Sequence, residues 1–419
     1  MDTIKIQGGV ALQGKVRIQG SKNASLPILA AVLMTEGESV LYNVPKISDV
    51  DRMLKILFCM GCRVRFFENE IRIRRCDCGR QEIPVEAMTG MRSSVYMMGA
   101  LLGRAGRVSM KYPGGCVIGA RPVDLHLSAL QQMGACFETC GDRIEGYAPD
   151  GLHGAEIHLA FPSVGATENV ILAAVLAKGR TVLYGAAKEP EIVTLCAYLR
   201  GCGAKIRGMG TDVIVVDGVS YLQGCRFRIP GDRIVAGTYM LMTAATGGCA
   251  FFKNAPAQEM EAVLRFLCKA GCECQTTEDG IFVQAPTELQ PVEAIITDVH
   301  PGFPTDLQSA AMVMALKISD VTLVEENIFE DRFRIVPQLN AMGADVCLLN
   351  SRCARVTGGN RLEGCPVEAK ELRGGAALVA AGLMASGVTT VSGCCYIDRG
   401  YENICKDLRE LGARIYRDK

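Results

Sequence analysis

The chain has 419 residues and carries 45 lysines and arginines against 45 aspartates and glutamates, so its formal net charge at pH 7 is zero. A neutral chain argues against a nucleic-acid-binding protein and against a polybasic membrane-surface protein, although it is compatible with a local basic pocket. The length predicts two domains, because it exceeds one hydrophobic core of ordinary size.

The segment before Gly20 is predicted to form a strand that precedes the first repeated element. Residues 1–7 alternate polar and apolar side chains and lack the apolar run of a signal peptide. No run of about 18 apolar residues follows elsewhere, so no transmembrane segment is predicted. We therefore expect a soluble, cytoplasmic protein.

One short motif then returns six times along the chain. It consists of a leucine, three residues, a glycine, a small residue, one more residue and an apolar residue. Its glycines are Gly61, Gly134, Gly203, Gly271, Gly343 and Gly412, which lie about 70 residues apart. A period of this length indicates that one supersecondary unit is used six times.

The third repeat shows the predicted elements most clearly. Residues 169–178 are predicted as a helix that stops at Gly179, and residues 181–184 as a strand. Residues 191–200 are predicted as a second helix and residues 204–208 as a second strand. The other first helices are expected to end near Gly37, Gly106, Gly247, residues 318–320 and Gly387.

Three repeats precede Gly231 and three follow it, which predicts an α/β fold of two similar domains. The first domain is expected to cover residues 22–229. The second is expected to cover residues 230–419 together with the strand in residues 1–21, with the hinge at Pro230 and Gly231.

Twenty cysteines raise the question of a disulfide or metal protein. Cys62 and Cys272, however, occupy the small-residue position of the repeated motif, which alanine fills in four other repeats. Free cysteine packs as a small hydrophobic residue, and the remaining spacings do not match zinc ligands. We expect reduced, mostly structural thiols, as in a cytosolic protein, and no metal site.

The first helix of every repeat begins with polar or charged residues. These starts are residues 21–23, 91–93, 163–167, 231–233, 304–306 and 371–373. Ser21 and Thr305 are each explained as helix N-caps. Cations are unfavourable at a helix N-terminus, so four repeats with a cation there suggest a bound anion that offsets this cost; the cations are Lys22, Arg92, Arg233 and Arg373.

The loop between Pro113 and Leu125 breaks the repeat in another way. Three glycines surround Cys116, and Arg121 follows five residues later, where its charge would favour the thiolate. A single cysteine in a cysteine-rich chain is usually a packing residue, but this glycine-rich and polar setting favours an accessible thiol. The equivalent loops carry Arg332 and Arg399, which again suggests an anionic ligand.

These residues resemble the UDP-N-acetylglucosamine 1-carboxyvinyltransferases, a family of enolpyruvyl transferases. The resemblance covers essentially the whole chain. Its motifs are GSKNASLPILAA at residues 20–31, PGGCVIGARPVDLHL at 113–127, FPSVGATEN at 161–169, PGFPTDLQ at 301–308, FEDRF at 329–333, LRGGAALV at 372–379 and DRGYEN at 398–403. The Cys116 loop is the most specific, because the related shikimate-pathway enzyme shares the fold but lacks such a loop.

The resemblance implies a two-domain, inside-out α/β barrel built from six copies of the repeat, with the active site in the cleft between the domains. It implies transfer of the enolpyruvyl group of phosphoenolpyruvate to the 3-hydroxyl of UDP-N-acetylglucosamine with release of phosphate. This reaction is the first committed step of peptidoglycan synthesis. No cofactor, metal, nucleic acid or membrane is implied, and a monomer is the default.

The resemblance also implies residue roles. Cys116 acts as general acid, and Asp306 acts as the base or orients the sugar hydroxyl, with the choice left open. Phosphoenolpyruvate is held by Lys22, Asn23, Arg121 and Arg399, with Lys22 and Arg399 also counted as catalytic. The sugar nucleotide contacts Arg92, Arg121, Pro122, Val123, Asp124, Leu125, Ser163, Val164, Gly165, Asp306 and Ile328. Arg332 and Arg373 complete the anion cluster, and Glu371 lies near the reacting carbons.

The chain departs from the family pattern at several positions. Glu371 replaces the usual aspartate, and Val235 stands where glutamate is common. These changes motivate an alternative: a diverged copy that binds the sugar nucleotide and regulates without catalysis. A third reading, the shikimate-pathway reaction, is disfavoured by the Cys116 loop. His300 is interpreted as a loop residue and not as a catalyst.

Overall fold

The structure is a computed structural model that describes residues 2–75, 95–111 and 123–418. Four predicted site residues, Arg92, Cys116, Arg121 and Pro122, lie outside the described residues. The chain divides into two compact units. The Lys22 unit comprises the described residues from 20 to 230, and the Asp306 unit comprises residues 2–19 and 231–418.

The helices of the described residues follow the predicted order of two per repeat, with a short extra helix in the sixth. They are α1 (Lys22–Val32), α2 (Ser48–Cys59), α3 (Tyr96–Ala105), α4 (Asp124–Gln132), α5 (Val164–Ala174), α6 (Pro190–Gly201), α7 (Arg233–Ala245), α8 (Glu261–Lys269), α9 (Gln308–Ala315), α10 (Val336–Ala341), α11 (Leu372–Met384), α12 (Cys394–Ile397) and α13 (Ile404–Glu410). Two 3₁₀ turns, Ala257–Glu259 and Thr305–Leu307, precede α8 and α9.

The strands are short and are distributed over both units. They are β1 (Thr3–Gln7), β2 (Gln13–Arg17), β3 (Thr35–Glu36), β4 (Glu38–Tyr42), β5 (Cys62–Phe67), β6 (Glu70–Arg75), β7 (Arg107–Lys111), β8 (Cys136–Cys140), β9 (Arg143–Tyr147), β10 (Glu156–His158), β11 (Arg180–Tyr184), β12 (Lys205–Arg207), β13 (Val213–Asp217), β14 (Leu222–Gln223), β15 (Arg226–Arg228), β16 (Cys249–Lys253), β17 (Glu273–Thr277), β18 (Gly280–Gln284), β19 (Ala294–Thr297), β20 (Val321–Glu326), β21 (Asp345–Asn350), β22 (Cys353–Thr357), β23 (Pro366–Glu368), β24 (Val388–Ser392) and β25 (Arg414–Asp418).

The repeated glycine ends the second helix of each repeat. All six motif glycines have a positive φ, between 84° at Gly412 and 105° at Gly203. Only glycine adopts this left-handed conformation without steric cost, so it lets the chain leave the helix and enter the next strand. The six-fold motif is therefore a helix stop, and it is placed before β5, β8, β12, β17, β21 and β25.

The first helices form the interior of each unit. Helix α5 is buried from Ala166 to its end, and α11 is buried from Arg373 to Leu383. A helix that is apolar on all sides must be covered all round. In the Asp306 unit, α7, α9 and α11 pack against one another, and in the Lys22 unit α3 packs against both α1 and α5.

The sheets lie outside these helices, with one buried and one exposed face. In β11, for example, Thr181 and Leu183 are buried while Arg180 is exposed, which is the alternation of a sheet that faces water on one side. The strand orders are β15-β4-β6-β5, β7-β9-β8 and β10-β11-β13-β12 in the Lys22 unit, and β17-β18-β16-β2, β19-β20-β22-β21 and β23-β24-β1-β25 in the Asp306 unit. Helices inside and sheets outside confirm the predicted inside-out α/β architecture. Within the described residues, every sheet is open.

The N-terminal strands belong to the Asp306 unit. Strand β1 pairs with both β24 and β25, and β2 runs parallel to β16. The backbone N–H of Asp232 also donates to the carbonyl oxygen of Gln19 at 2.9 Å. The N-terminal segment thus completes two sheets of the second half of the sequence.

The helix predicted at residues 169–178 begins earlier, at Val164, and ends at Ala174. Ser163 caps it by accepting a hydrogen bond from the backbone N–H of Ala166 at 3.3 Å. The helix start identified at residues 163–167 is confirmed, whereas the narrower bounds of 169–178 left out the first turn because Thr167 and Glu168 are polar, although both are fully buried. Polar residues inside a buried helix are the exception to the apolar pattern on which the prediction relied.

The two cysteines of the repeated motif agree with the packing interpretation, whereas Cys136, Cys140, Cys268, Cys347 and Cys395 are exposed. Cys62 and Cys272 are buried, and every cysteine within the described ranges is a free thiol. In the same ranges no helix is long and apolar enough to cross a membrane.

Candidate active site

Lys22 lies in the first turn of α1 in the Lys22 unit. Its Nζ lies 2.8 Å from Oδ2 of Asp49, and the two side chains are 10% and 2% exposed. Asp49 belongs to the first turn of α2, and Arg52 Nη1 lies 3.6 Å from its other oxygen. The cost of a cation at this helix start is therefore offset in part by a carboxylate of the protein itself. The sequence analysis missed Asp49, whose only signal is an acidic residue at the start of the second helix.

The backbone before Lys22 is fixed by glycine and by a serine cap. A Cβ atom at Gly20 would come within 1.7 Å of the carbonyl oxygen of Asn43, so no other residue fits there. Ser21 accepts a hydrogen bond from the N–H of Ala24 at 3.3 Å, which makes it the N-cap predicted from the sequence. Asn23 follows in the same turn and is half-buried, whereas the rest of α1 is buried.

The other predicted sugar-nucleotide contacts of this unit gather at two further helix starts. Val123 is buried just before α4, while Asp124 is exposed and Leu125 is half-buried in its first turn. Ser163 to Gly165 form the start of α5, which packs against α4. The backbone N–H groups of a first helical turn are unpaired within the helix and favour anions, so these two starts suit a phosphate-bearing ligand.

Asp306 is the centre of a charged cluster in the Asp306 unit. Its Oδ1 accepts a hydrogen bond from Nη2 of Arg332 at 2.6 Å, and its Oδ2 accepts one from Nη2 of Arg373 at 3.0 Å. The arginine side chains are 2% and 5% exposed, whereas that of Asp306 is 26% exposed. Burial is the largest single influence and disfavours the charge on Arg373, but Asp306 together with Tyr401 and Asp232 outweighs it and raises the pKa of Arg373. Asp306 is thus held between two buried guanidinium groups and is itself the more accessible member of the cluster.

A second carboxylate shapes the chain around this cluster. Glu326 accepts hydrogen bonds from the hydroxyl of Thr305 at 2.9 and 3.0 Å, and from the N–H groups of Ile328 and Phe329 at 2.9 and 3.0 Å. The side chain of Arg332 lies over the Phe329 ring at 5.4 Å. Thr305 thus donates to Glu326, and the prediction that it acts as an N-cap is wrong, because Pro304 occupies the cap position. Glu326 was missed, since it is an ordinary strand residue in sequence.

Glu371 is the N-cap of α11. Its carboxylate accepts hydrogen bonds from the N–H of Arg373, at 2.8 Å, and from the N–H of Gly374. An acidic cap is favourable at the positive end of a helix. Nη1 of the neighbouring Arg373 is buried and has no hydrogen-bond partner in the structure as described. That N–H group is suited to an anionic ligand.

Arg399 lies on the turn after α12 and is half-buried. The residue before it, Asp398, accepts two hydrogen bonds of 2.7 Å from Arg417 on β25. Two residues further on, Tyr401 is fully buried, and its hydroxyl lies 3.0 Å from that of Thr238. The turn that carries Arg399 is therefore anchored on both sides.

Three further positions singled out from the sequence are Val235, Arg233 and His300. Val235 is fully buried in α7, in the apolar core, so the position often occupied by glutamate holds no charge here. Arg233 and His300 line a cavity of about 50 Å³ together with Glu259 and Glu261. His300 lies in a loop, in agreement with its interpretation as a loop residue.

A family model described as EPSP synthase (3-phosphoshikimate 1-carboxyvinyltransferase) matches residues 6–408. The UDP-N-acetylglucosamine 1-carboxyvinyltransferase of Oleidesulfovibrio alaskensis is 46% identical over 417 residues, which cover 100% of this chain and 99% of that protein. The UDP-N-acetylglucosamine 1-carboxyvinyltransferase 2 of Caldanaerobacter subterraneus subsp. tengcongensis is 44% identical and covers 100% of both chains.

Two solved structures share the fold at lower identity. The enolpyruvyl transferase NikO from Streptomyces tendae aligns with a TM-score of 0.89 at 21% identity, over 99% of this chain and 98% of that one. EPSP synthase from Acinetobacter baumannii aligns with a TM-score of 0.76 at 18% identity, over 100% of both chains.

The fold is therefore that of the enolpyruvyl transferases. Full-length identities of 44 to 46% narrow this class, and the chain belongs to the UDP-N-acetylglucosamine 1-carboxyvinyltransferase family. The resemblance that the sequence motifs indicated is confirmed.

Proposed function

We propose that this protein transfers the enolpyruvyl group of phosphoenolpyruvate to the 3-hydroxyl of UDP-N-acetylglucosamine and releases phosphate. The structural feature that supports this activity best is the clamp of Asp306 between Arg332 and Arg373. It combines a carboxylate that can accept a hydrogen bond from a sugar hydroxyl with buried cations that can stabilise a departing phosphate.

The reaction proceeds by addition and elimination. The 3-hydroxyl oxygen gives up its proton to a base and bonds to C2 of phosphoenolpyruvate while C3 gains a proton from an acid, which gives a tetrahedral intermediate. Loss of a proton from C3 and cleavage of the bond between C2 and the phosphate oxygen then restore the double bond and release phosphate. The reaction needs a proton donor, a proton acceptor and cations, and the chain carries side chains of all three types.

Asp306 orients the sugar hydroxyl in this scheme. The two guanidinium groups bound to its oxygens hold the carboxylate in a fixed orientation. We assign the C3 proton to Cys116 and the phosphoenolpyruvate contacts to Lys22, Asn23, Arg121 and Arg399, as the family motifs imply.

The sugar nucleotide is assigned to the helix starts of the Lys22 unit. Ser163, Val164 and Gly165 offer the N-terminal turn of α5, and Asp124 and Leu125 offer that of α4. Contacts from Arg92, Arg121, Pro122, Val123, Asp306 and Ile328 complete this assignment. We expect the enzyme to act in the cytoplasm, as a monomer and without a metal or organic cofactor, which size-exclusion chromatography and activity in the presence of a chelator would test.

The decisive experiment incubates the protein with phosphoenolpyruvate and UDP-N-acetylglucosamine and measures released phosphate together with the mass of the nucleotide product. Parallel reactions replace the sugar nucleotide with shikimate 3-phosphate. Phosphate release only with UDP-N-acetylglucosamine supports the proposal. No release from folded protein that still binds the nucleotide would favour the regulatory copy, and release only with shikimate 3-phosphate would favour the sister reaction.

A further inference from the structure

Three helices of the Lys22 unit meet around one buried amide. Asn169 on α5 is fully buried, and its Oδ1 accepts a hydrogen bond from the backbone N–H of Gly99 on α3 at 2.7 Å. Its Nδ2 donates to the carbonyl oxygen of Val95 at 3.0 Å and lies 2.7 Å from Nδ1 of His126 on α4. His126 is 8% exposed.

The two backbone partners fix the orientation of the amide. A backbone N–H can only donate and a backbone carbonyl can only accept, so the atom facing Gly99 is the oxygen and the atom facing Val95 is the nitrogen. The second hydrogen of Nδ2 then points at His126. The backbone partners therefore assign the oxygen and the nitrogen of the Asn169 amide.

The amide in turn fixes the histidine tautomer. Because Nδ2 of Asn169 is a donor, Nδ1 of His126 must accept, and the ring proton resides on Nε2. A proton on Nδ1 would place two donors against each other in a buried site. His126 is therefore held by Asn169 as the Nε2-protonated tautomer.

The other edge of the His126 ring packs against the predicted nucleotide-binding turn. A Cβ atom at Gly165 would lie 3.0 Å from Cε1 and 3.4 Å from Nε2 of His126, so the ring occupies the space that any larger residue there would need. His126 directly follows Leu125 in the first turn of α4, and Gly165 is in the first turn of α5. One ring thus connects the two helix starts assigned to the sugar nucleotide.

We propose that His126, locked by Asn169 as the Nε2-protonated tautomer, is a positioning residue that sets the starts of α4 and α5 at the spacing that the sugar nucleotide requires. This inference rests on the proposed function. His126 acts through the backbone N–H groups of these two turns. Displacement of such donors by about 1 Å can cost on the order of 100-fold in rate.

The test compares substitutions that preserve different edges of the ring. In His126→Asn, the amide oxygen can replace Nδ1 as acceptor for Asn169, whereas in His126→Gln the amide reaches the position of Nε2 and the acceptor is lost. The matched control is His158→Gln, because His158 is exposed in the same unit and stacks on Tyr184 at 4.5 Å. Thermal melting establishes that each variant is folded.

We expect His126→Gln to raise the KM for UDP-N-acetylglucosamine about 10-fold, which corresponds to about 1.4 kcal/mol of binding. The KM for phosphoenolpyruvate should change much less, His126→Asn should recover most of the loss, and His158→Gln should behave as wild type. A histidine that is merely part of the core would alter the melting temperature without this split between the two KM values. An unchanged nucleotide KM in folded His126→Gln overturns the proposal.

The tautomer is tested separately by ¹⁵N NMR, which is practicable because the chain has only four histidines. His126 should show an unprotonated Nδ1 and a protonated Nε2, and Asn169→Asp should move the proton to Nδ1, since both carboxylate oxygens accept. A protonated Nδ1 in the wild-type protein contradicts the inference. Wild-type protein that does not turn over the nucleotide defeats the proposed function itself, whereas active wild-type protein with an unaffected His126→Gln variant defeats only this inference.

Discussion

The two units use charge differently at their helix starts. In the Lys22 unit the carboxylate is buried: Asp49 is 2% exposed and lies 2.8 Å from Lys22 and 3.6 Å from the more exposed Arg52. In the Asp306 unit the cations are buried: Arg332 and Arg373 are 2% and 5% exposed, whereas the Asp306 carboxylate that they share is 26% exposed. A partly exposed carboxylate held by two buried cations can contact a reacting group, whereas a buried carboxylate mainly fixes the geometry of its cations.

The charges of the N-cap residues of the first helices also differ between the two units. Ser21 and Ser163 cap α1 and α5 with neutral hydroxyls, which leave the positive ends of the helices available to a ligand. Asp232 and Glu371 cap α7 and α11 with carboxylates, which neutralise those ends. The comparison therefore assigns recognition of an anionic ligand to helix starts of the Lys22 unit and fixed side-chain charge to the Asp306 unit.

The largest effect is expected from blocking Cys116. This residue belongs by sequence to the Lys22 unit, so a loss of activity would give that unit a chemical role in addition to ligand recognition. Fosfomycin, which alkylates the loop cysteine of this family, should abolish activity. Buried thiols should not compete, because burial raises the pKa of Cys196 to about 12 and that of Cys272 and Cys394 to about 11. Peptide mapping checks the site, and Cys116→Ala is the control for labelling. Activity lost with the label on another cysteine would contradict the assigned role.

Asp306→Asn should lower kcat about 10²- to 10⁴-fold, because the amide cannot accept a proton and binds its two arginines less strongly. The nucleotide KM should change far less. Asp331→Asn is the matched control, since Asp331 pairs with Arg334 in the same segment but not with Arg332 or Arg373. Steady-state kinetics of both variants decide the matter. A kcat within about three-fold of wild type in Asp306→Asn would remove the chemical role from this unit.

Lys22→Met tests the buried ion pair of the Lys22 unit through stability. It removes the cation at 2.8 Å from the buried carboxylate of Asp49, and breaking a buried pair from one side costs about 3–5 kcal/mol. The double variant Lys22→Met/Asp49→Asn should recover most of that loss in denaturant unfolding but none of the activity. Recovery of activity in the double variant would show that Lys22 serves only the fold.

The fold followed from the sequence because its signals are local. A glycine that must leave a helix with positive φ is visible at each of the six motif positions, and polar helix starts led to Asp306 and Arg373. The partners were not visible, since Asp49 lies 27 residues from Lys22. A cation at a helix start is unfavourable, and the sequence suggested that an external anion offsets this cost. Carboxylates of the protein offset part of it, and only the tertiary contacts reveal them.

The contacts of Asn169 show the same limit. Its partners Gly99 and His126 come from two other helices, and one of these bonds spans 70 residues of sequence. A polar residue on an otherwise apolar helix indicates that a partner exists, because buried polar groups are hydrogen-bonded. The identity of that partner depends on how the helices pack, and the sequence carries no local signal for helix packing.

The buried tyrosines extend the comparison to pH. Tyr198 in the Lys22 unit lies 2.9 Å from the hydroxyl of Ser39, whereas Tyr239 in the Asp306 unit donates to Asp407 at 2.8 Å. Burial raises the pKa of Asp407 from 3.8 to about 6. The folded state therefore holds this proton more tightly than the unfolded state, and stability falls as pH rises from about 4 to about 6.

Asp407→Asn should thus gain stability relative to wild type between pH 4 and pH 7, by on the order of 2 kcal/mol, because it cannot ionise. Thermal and urea unfolding at several pH values measure the difference. Ser39→Ala is the control: it weakens the corresponding tyrosine contact without a titratable group, so its cost should not depend on pH in this range. A constant difference between Asp407→Asn and wild type would contradict the raised pKa.

The smallest effect concerns Glu371, where the acidic cap of the Asp306 unit departs from the family's aspartate. Glu371→Ala should cost about 1 kcal/mol of stability, since two N–H groups of α11 lose their acceptor. Glu371→Asp should keep the cap, because aspartate is a favoured N-cap, and should change kcat by less than about three-fold if the carboxylate serves mainly the helix. Kinetics and unfolding of both variants separate the two roles. If turnover appears only in Glu371→Asp, the natural chain is the regulatory copy, and its buried arginines serve binding alone.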